Sequence, residues 1–130
     1  MKKKFSKHWK ASKQKRKQIK YSANIPYHLR KKKVSANLSK ELRKKYGRRS
    51  IPLRKGDIVK IMRGEFKGKE GKISKVDSRI RKVYIEGIFK TKKDGSKISV
   101  PFDSSNLQVK ELNLEDKKRL KKFMEKKNVP

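Results

Sequence analysis

The apolar positions along this chain change their spacing twice. Between residues 51 and 110 they come in short runs separated by Gly, Asp and Lys. DIVKIM (57–62) reads as a buried strand, and KISKV (72–76) alternates, with Ile73 and Val76 near its ends. KVYIEGIF (82–89) sets Val83, Ile85 and Phe89 on one side and places a bulge at Gly87. KISVPF and NLQVKEL supply two further strands. Asp94-Gly95, between the third and fourth strands, predicts a two-residue type I′ hairpin turn, because both central residues there need positive φ. Five short strands with no helix among them predict a mainly β fold, a small and strongly bent barrel.

The flanks have a different rhythm. LSKELRKKYG (38–47) predicts a short helix near 39–46, with Ser39 as its cap and Gly47 as its stop. NLEDKKRLKKFMEKK (113–127) predicts a C-terminal helix capped by Asn113, with Glu115 and Asp116 in its first turn. Leu120, Phe123 and Met124 form its narrow apolar stripe. Residues 1–35 show no steady period and few aliphatic side chains, and alone in water they are expected to be largely disordered. The organisation is therefore a basic extension at 1–50, a barrel at 51–110 and a helix at 111–130.

Charge sharpens this division. The 130 residues hold 43 Lys and Arg against 12 Asp and Glu, a formal net charge of +31. Residues 1–50 alone carry 20 basic side chains and one acid, Glu41. With only 32% hydrophobic residues the chain cannot bury itself in one large core, and so large a self-repulsion calls for a polyanion. No stretch is apolar enough to span a bilayer, and no apolar run follows the basic start as a signal peptide would require. The absence of Cys excludes disulfides and thiolate metal sites, and it fits a reducing cytosol.

Enzyme chemistry is poorly served. The glycines of RGEFKGKEGK (63–72) invite a phosphate-cradle reading, yet Gly68-Lys69 is followed by Glu70, which lacks the hydroxyl a P-loop offers to magnesium. The dinucleotide fingerprint is missing as well. His8 and His28 have no carboxylate or cysteine at ligand spacing and read as solvated or RNA-stacking side chains. Asp57, Glu65, Glu70 and Asp77 read as charge-offsetting groups. No catalytic residue, metal site or cofactor is expected.

The basic arm interleaves cations with Phe5, Trp9, Tyr21 and Tyr27, rings on which bases stack at about 1–3 kcal/mol each. No window of the arm gathers its apolar residues on one face, so a membrane-surface helix fits poorly. Lys outnumbers Arg, which favours neutralisation of phosphates over base readout. Pro26, Ser39 and Gly47 punctuate the arm, and an arm that orders on a folded RNA accounts for both this punctuation and the interleaved rings.

The stretch GDIVKIMRGEFKGKEGKISKV (56–76) resembles a KOW motif: a strand, a glycine-rich loop and a second strand within an SH3-like barrel. PYHLRKKKVSANLSKELRKKYGRRSIPLRKGD before it is similar to the archaeal and eukaryotic form of the universal large-subunit ribosomal protein twenty-four. So are KVYIEG and KKDGSKISVPFDSSNLQVKELNLEDKKR after it. The resemblance covers about residues 26–120. It implies a structural, non-enzymatic constituent of the cytoplasmic ribosome, not a homo-oligomer and not inserted in a membrane. The implied partner is large-subunit ribosomal RNA near the 5′ end of the long RNA, bound early in assembly beside the polypeptide exit tunnel. Neighbouring ribosomal proteins and factors docking at the tunnel exit are the other implied partners.

Carried over by motif position, Arg63, Lys67, Gly68, Lys69, Gly71 and Lys72 of the loop should face RNA. So should Arg48, Arg49, Arg54 and Lys55 ahead of the barrel, and Arg30, Lys31, Lys32 and Lys33. Arg43 in the short helix, and Trp9, Tyr27 and His28 in the arm, complete the candidate set. Asp57 of the KGD triplet has an implied turn-forming role. The short hairpin at Asp94-Gly95 departs from bacterial relatives, whose longer loop reaches toward the tunnel, and the chain end at residue 130 leans toward the archaeal branch. Two other readings compete: a transcription regulator binding polymerase or nascent RNA through a KOW barrel, and a DNA-compacting basic protein.

Overall fold

A computed structural model of the chain describes residues 2–119 and 121. Its strands are β1 (Ser35–Leu38), β2 (Ser50–Pro52), β3 (Ile58–Ile61), β4 (Glu70–Asp77), β5 (Lys82–Thr91), β6 (Lys97–Asp103) and β7 (Leu107–Glu111). They form one mixed sheet in the order β2-β1-β7-β3-β4-β5-β6, in which only the β1–β7 pair is parallel. The order has two ends, at β2 and β6, so the sheet curls without closing its hydrogen-bonded ring.

The five expected strands are β3 to β7. The sheet reaches further back than residue 51, because β1 adds beside β7 and buries Ala36 and Leu38 on alternate positions. Val34, Ala36 and Leu38 join Val59, Ile61, Ile73, Val83, Ile85, Leu107 and Val109 in one aliphatic core. A four-residue strand paired in parallel with a partner about 70 residues away leaves no local period to read. Helix α3 (Lys40–Tyr46; α1 and α2 precede it, below) links β1 to β2 with the expected punctuation. Ser39 Oγ accepts the Leu42 N–H, and Gly47 ends the helix at φ 63°.

β4 is shared between two halves of the sheet. Its first residues pair with β3 (Lys60↔Glu70, Val59↔Gly71), while its last pair with β5 (Val76↔Val83, Asp77↔Lys82). Gly71 stands at this corner, where a Cβ would lie 2.5 Å from Ile85 Cγ2 and 3.2 Å from the Glu86 carbonyl. Only a residue without a side chain lets β5 come so close.

Two local details of the β5–β6 hairpin differ from expectation. Gly87, at φ 79°, does sit in an irregular stretch, where β5 advances from Tyr84 to Phe89 while β6 moves only from Pro101 to Ser99. The bulge reverses the alternation, so Ile88 enters the core and Phe89 is 47% exposed. The turn is a three-residue loop, 93–95, rather than a two-residue type I′ turn. Gly95 N–H donates to the Lys92 carbonyl, Lys92 N–H donates to Ser96, and Gly95 alone has positive φ, with Asp94 taking an ordinary conformation.

Residues 2–35 also take shape. Helices α1 (Lys15–Asn24) and α2 (Tyr27–Arg30) are flanked by single 3-10 turns at Lys7–Ala11 and Lys31–Lys33. The Gln18 amide donates to the carbonyls of Trp9, Lys10 and Ser12, folding the first turn onto α1. Tyr21 and Ile25 are buried, and Phe5 stacks on Tyr21 with ring centroids 5.3 Å apart. A satellite apolar cluster thus supplies order that composition does not suggest. At the other end, helix begins at Lys117, capped by Asp116, whose Oδ1 accepts the Lys118 N–H. Asn113 instead closes a local turn by accepting the Glu115 N–H. The expected stripe of Leu120, Phe123 and Met124 lies outside the described residues.

Candidate nucleic-acid interface

The loop joining β3 to β4 is a pair of back-to-back turns. Lys67 N–H donates to the Gly64 carbonyl at 3.2 Å and Lys69 N–H to the Phe66 carbonyl at 3.1 Å. Ile61 holds both strands, accepting from Gly68 N–H at 2.8 Å and donating to Lys69 at 2.9 Å. Gly64 and Gly68 take φ 96° and 90°, conformations that would strain any L side chain. Phe66 turns inward, its ring edge-on to Phe102 at 6.0 Å, and anchors the loop to the core. Backbone and core are therefore committed within the loop, and Arg63, Lys67 and Lys69 outnumber Glu65 among its outward charges. Arg63, Lys67 and Lys69 are exposed, as is Lys72 on the adjoining strand, with Lys69 Nζ 5.1 Å from the Phe66 ring centre.

Gly68 is exposed where the loop closes on β3, whereas Gly71 faces Ile85. Within the fold, the close approach that Gly71 permits is to β5.

Ahead of the barrel the candidates separate into outward and tethered groups. Arg49 and Lys55 are exposed. Arg54 is ion-paired with Asp116, and Arg43 Nε donates to the Leu38 carbonyl at 3.0 Å. Arg48 is half-buried. In the arm, Tyr27 is 70% exposed, and His28, Lys31 and Lys32 are exposed around it. Arg30 Nη2 donates to the Ile25 carbonyl, and Trp9 is half-buried. Phe5 and Tyr21 are turned to each other, and the buried Tyr21 offers no free face for stacking. Lys33 Nζ donates to Ser22 Oγ at 3.1 Å and sits 4.5 Å above the Tyr21 ring. Burial, and then the nearby Arg81 guanidinium, lower the Lys33 pKa from its ordinary value.

Some acids serve structural roles, while Glu70 stands exposed beside the loop at the start of β4. Asp57 is wholly buried and is the hub of the C-terminal crossing. Its oxygens accept from Arg54 N–H (3.0 Å), Asn113 N–H (2.8 Å) and two Arg119 guanidinium nitrogens (2.7 Å each). Its turn-forming role in KGD is thus joined by a second one that spacing does not reveal. Asp116 is held below the usual carboxylate range by Arg54 first, and Asp94 by the hydroxyl and N–H of Ser96. Glu65 alone lies inside the glycine loop, and it pairs with Lys90 of β5 at 3.2 Å.

One basic group falls outside the motif pattern. The four-residue turn between β4 and β5 carries Arg79 and Arg81, both exposed, beside α1. The signal in the sequence is the alternation Arg79-Ile80-Arg81 two residues after Asp77, without a glycine to mark the turn.

No helix among the described residues is long and apolar enough to cross a membrane. A small curled sheet with a pinned glycine loop, an excess of outward cations and some acids turned to structural uses suits a constituent of a ribonucleoprotein rather than a reaction centre. The family model for the eukaryotic ribosomal proteins L26 and their archaeal L24 counterparts matches residues 12–127, so the chain belongs to this family of structural ribosomal proteins.

Proposed function

We propose that this protein binds large-subunit ribosomal RNA as a structural constituent of the cytoplasmic large subunit, through an SH3-like KOW barrel and the basic segment preceding it. The observation that carries the reading is the glycine loop, whose backbone is pinned by Ile61 and Phe66 while Arg63, Lys67 and Lys69 remain outward. Such a loop brings point charges to phosphates at little ordering cost, since the backbone is already fixed. Binding by neutralisation gives a log–log salt slope of about −0.9 per phosphate on duplex DNA and about −0.7 on single strands. Tyr27 and His28 add exposed rings for stacking, and Lys31, Lys32, Arg49 and Lys55 add charge. Early incorporation during assembly, a position beside the tunnel exit and contact with neighbouring ribosomal proteins complete the proposal.

The test is sedimentation of large subunits through a high-salt wash, with the protein followed by immunodetection. Retention on the subunit is expected. Release from it, with recovery on polymerase or chromatin, would replace this reading with the transcription-regulator or DNA-compacting alternative.

A further inference from the structure

Helix α1 and the β4–β5 turn face each other across an open cleft of about 490 Å³. Lys15, Gln18, Ile19, Ser22 and Ala23 line one wall, and Arg79 and Arg81 line the other. Three cations thus meet in one concavity, and among the described residues none of the three has a carboxylate within 4.0 Å. A fourth cation, Lys33, is close enough to Arg81 to feel its charge. Asp77 is the acid nearest in the chain, and its Oδ1 is occupied by the backbone N–H groups of Arg79 and Ile80.

The turn is shaped at some cost. Arg81, at φ 58°, is the single non-glycine residue with positive φ among the described residues. Gly or Asn would adopt that conformation more readily, so turn formation alone does not explain an arginine there. What the arginine adds is a guanidinium on the cleft wall opposite Lys15. Ile19, 57% exposed, contributes apolar surface to the same cleft. Cations on both walls with an apolar patch on one of them match a nucleic-acid strand, which offers phosphates on its backbone and apolar faces on its sugars and bases.

We infer that this cleft is a second RNA site, in which a ribosomal RNA backbone passes between α1 and the β4–β5 turn with its phosphates held by Lys15, Arg79 and Arg81. The inference rests on the RNA-binding reading above, but it concerns residues outside the KOW loop. It makes the N-terminal segment one jaw of a clamp whose other jaw is the sheet.

The experiment compares four full-length proteins for binding to deproteinised large-subunit ribosomal RNA across a salt series. They are the wild type, R79A/R81G, K92A/K93A and R81G alone. R81G keeps the backbone conformation at ease while removing the guanidinium, so weakened binding cannot be assigned to misfolding. K92A/K93A removes the same charge from the exposed β5–β6 hairpin. If the cleft holds phosphates, R79A/R81G has a salt slope shallower by roughly 1.4–1.8, for two lost contacts. R81G alone then shows about half that change, K92A/K93A changes the slope less than R79A/R81G, and thermal midpoints of the arginine variants do not fall. An unchanged slope for R79A/R81G, or equal losses for it and K92A/K93A, overturns the cleft while leaving RNA binding intact. A wild type that fails to bind the RNA overturns the broader reading instead.

Discussion

Asp57 and Arg119 face each other end-on inside the protein, each carboxylate oxygen 2.7 Å from one terminal guanidinium nitrogen. The pair is 62 residues apart in the chain and nearly sealed from solvent, with side-chain exposures of 0% and 5%. Arg119 also donates to the carbonyls of Asn113 and Pro52, so one side chain ties the C-terminal crossing to the strands that begin the sheet. Breaking the pair from one side leaves a buried charge unmatched, at about 3–5 kcal/mol. Asp57→Ala or Arg119→Ala should therefore lower the urea midpoint severely. Removing both together should cost much less than the two single losses combined, a coupling that a double-mutant cycle on urea denaturation measures. Additive losses would show that the two groups act independently.

The glycines at 68 and 71 should fail for different reasons. Gly71→Ala drives a Cβ into Ile85, at roughly 1–3 kcal/mol for overpacking, and the loss should shrink in an Ile85→Ala background. Gly68→Ala meets no atom within 4 Å and loses only the left-handed backbone, about 1–2 kcal/mol, with no dependence on Ile85. Thermal denaturation of the four-way combinations separates the two causes. If Gly68→Ala proved equally sensitive to Ile85, the corner role assigned to Gly71 would be wrong.

The exposed loop lysines should matter for RNA and hardly at all for folding. Lys67→Ala, Lys69→Ala and Lys72→Ala combined should flatten the salt slope of ribosomal RNA binding by roughly 2–3. Stability should stay within about 0.5 kcal/mol per substitution. A large fall in thermal midpoint with an unchanged slope would reverse this assignment.

Acid sensitivity is expected at the C-terminal crossing. Arg54 and the Lys118 N–H depress the Asp116 pKa in the folded state, so its contribution is complete above the unfolded carboxylate value of about 3.9. That contribution is lost as pH falls through the lower folded value. Denaturation midpoints measured from pH 5 down to pH 2 should fall less steeply in Asp116→Asn than in the wild type. The neutral variant should be the less stable of the two at pH 7. Parallel pH profiles would remove Asp116 from the acid response.

Much of the architecture can be read locally. Alternation in KISKV and KVYIEGIF marks β4 and β5, and Ser39 with Gly47 brackets α3 within a residue or so of its ends. The glycine loop is recognisable from its KOW pattern, since Gly64 and Gly68 take the left-handed conformations that its tight turns require. Local reading fails where distant segments cooperate. β1 exists because β7 lies beside it, and the order of residues 2–35 depends on Phe5 meeting Tyr21 and on Gln18 reaching back to three carbonyls. Phe89 fits the inward alternation until the bulge at Gly87 shifts the register by several residues and sends Ile88 inward instead.

The chain's own pattern thus accounts for strands β3 to β7, the caps of α3, the cationic character and the family. Those properties follow from composition and from spacing over a few residues, where side-chain alternation and backbone φ preferences act directly. The position of each charge relative to the others belongs to the folded state. Asp57 becomes the partner of Arg119, Gly71 gives way to β5, and Arg81 comes to face Lys15 across a cleft because chain crossings bring them together. Contacts of that kind depend on how segments separated in the chain pack around a shared core. Spacing within a motif carries no record of that packing, which is why the loop is readable from sequence and the cleft is not.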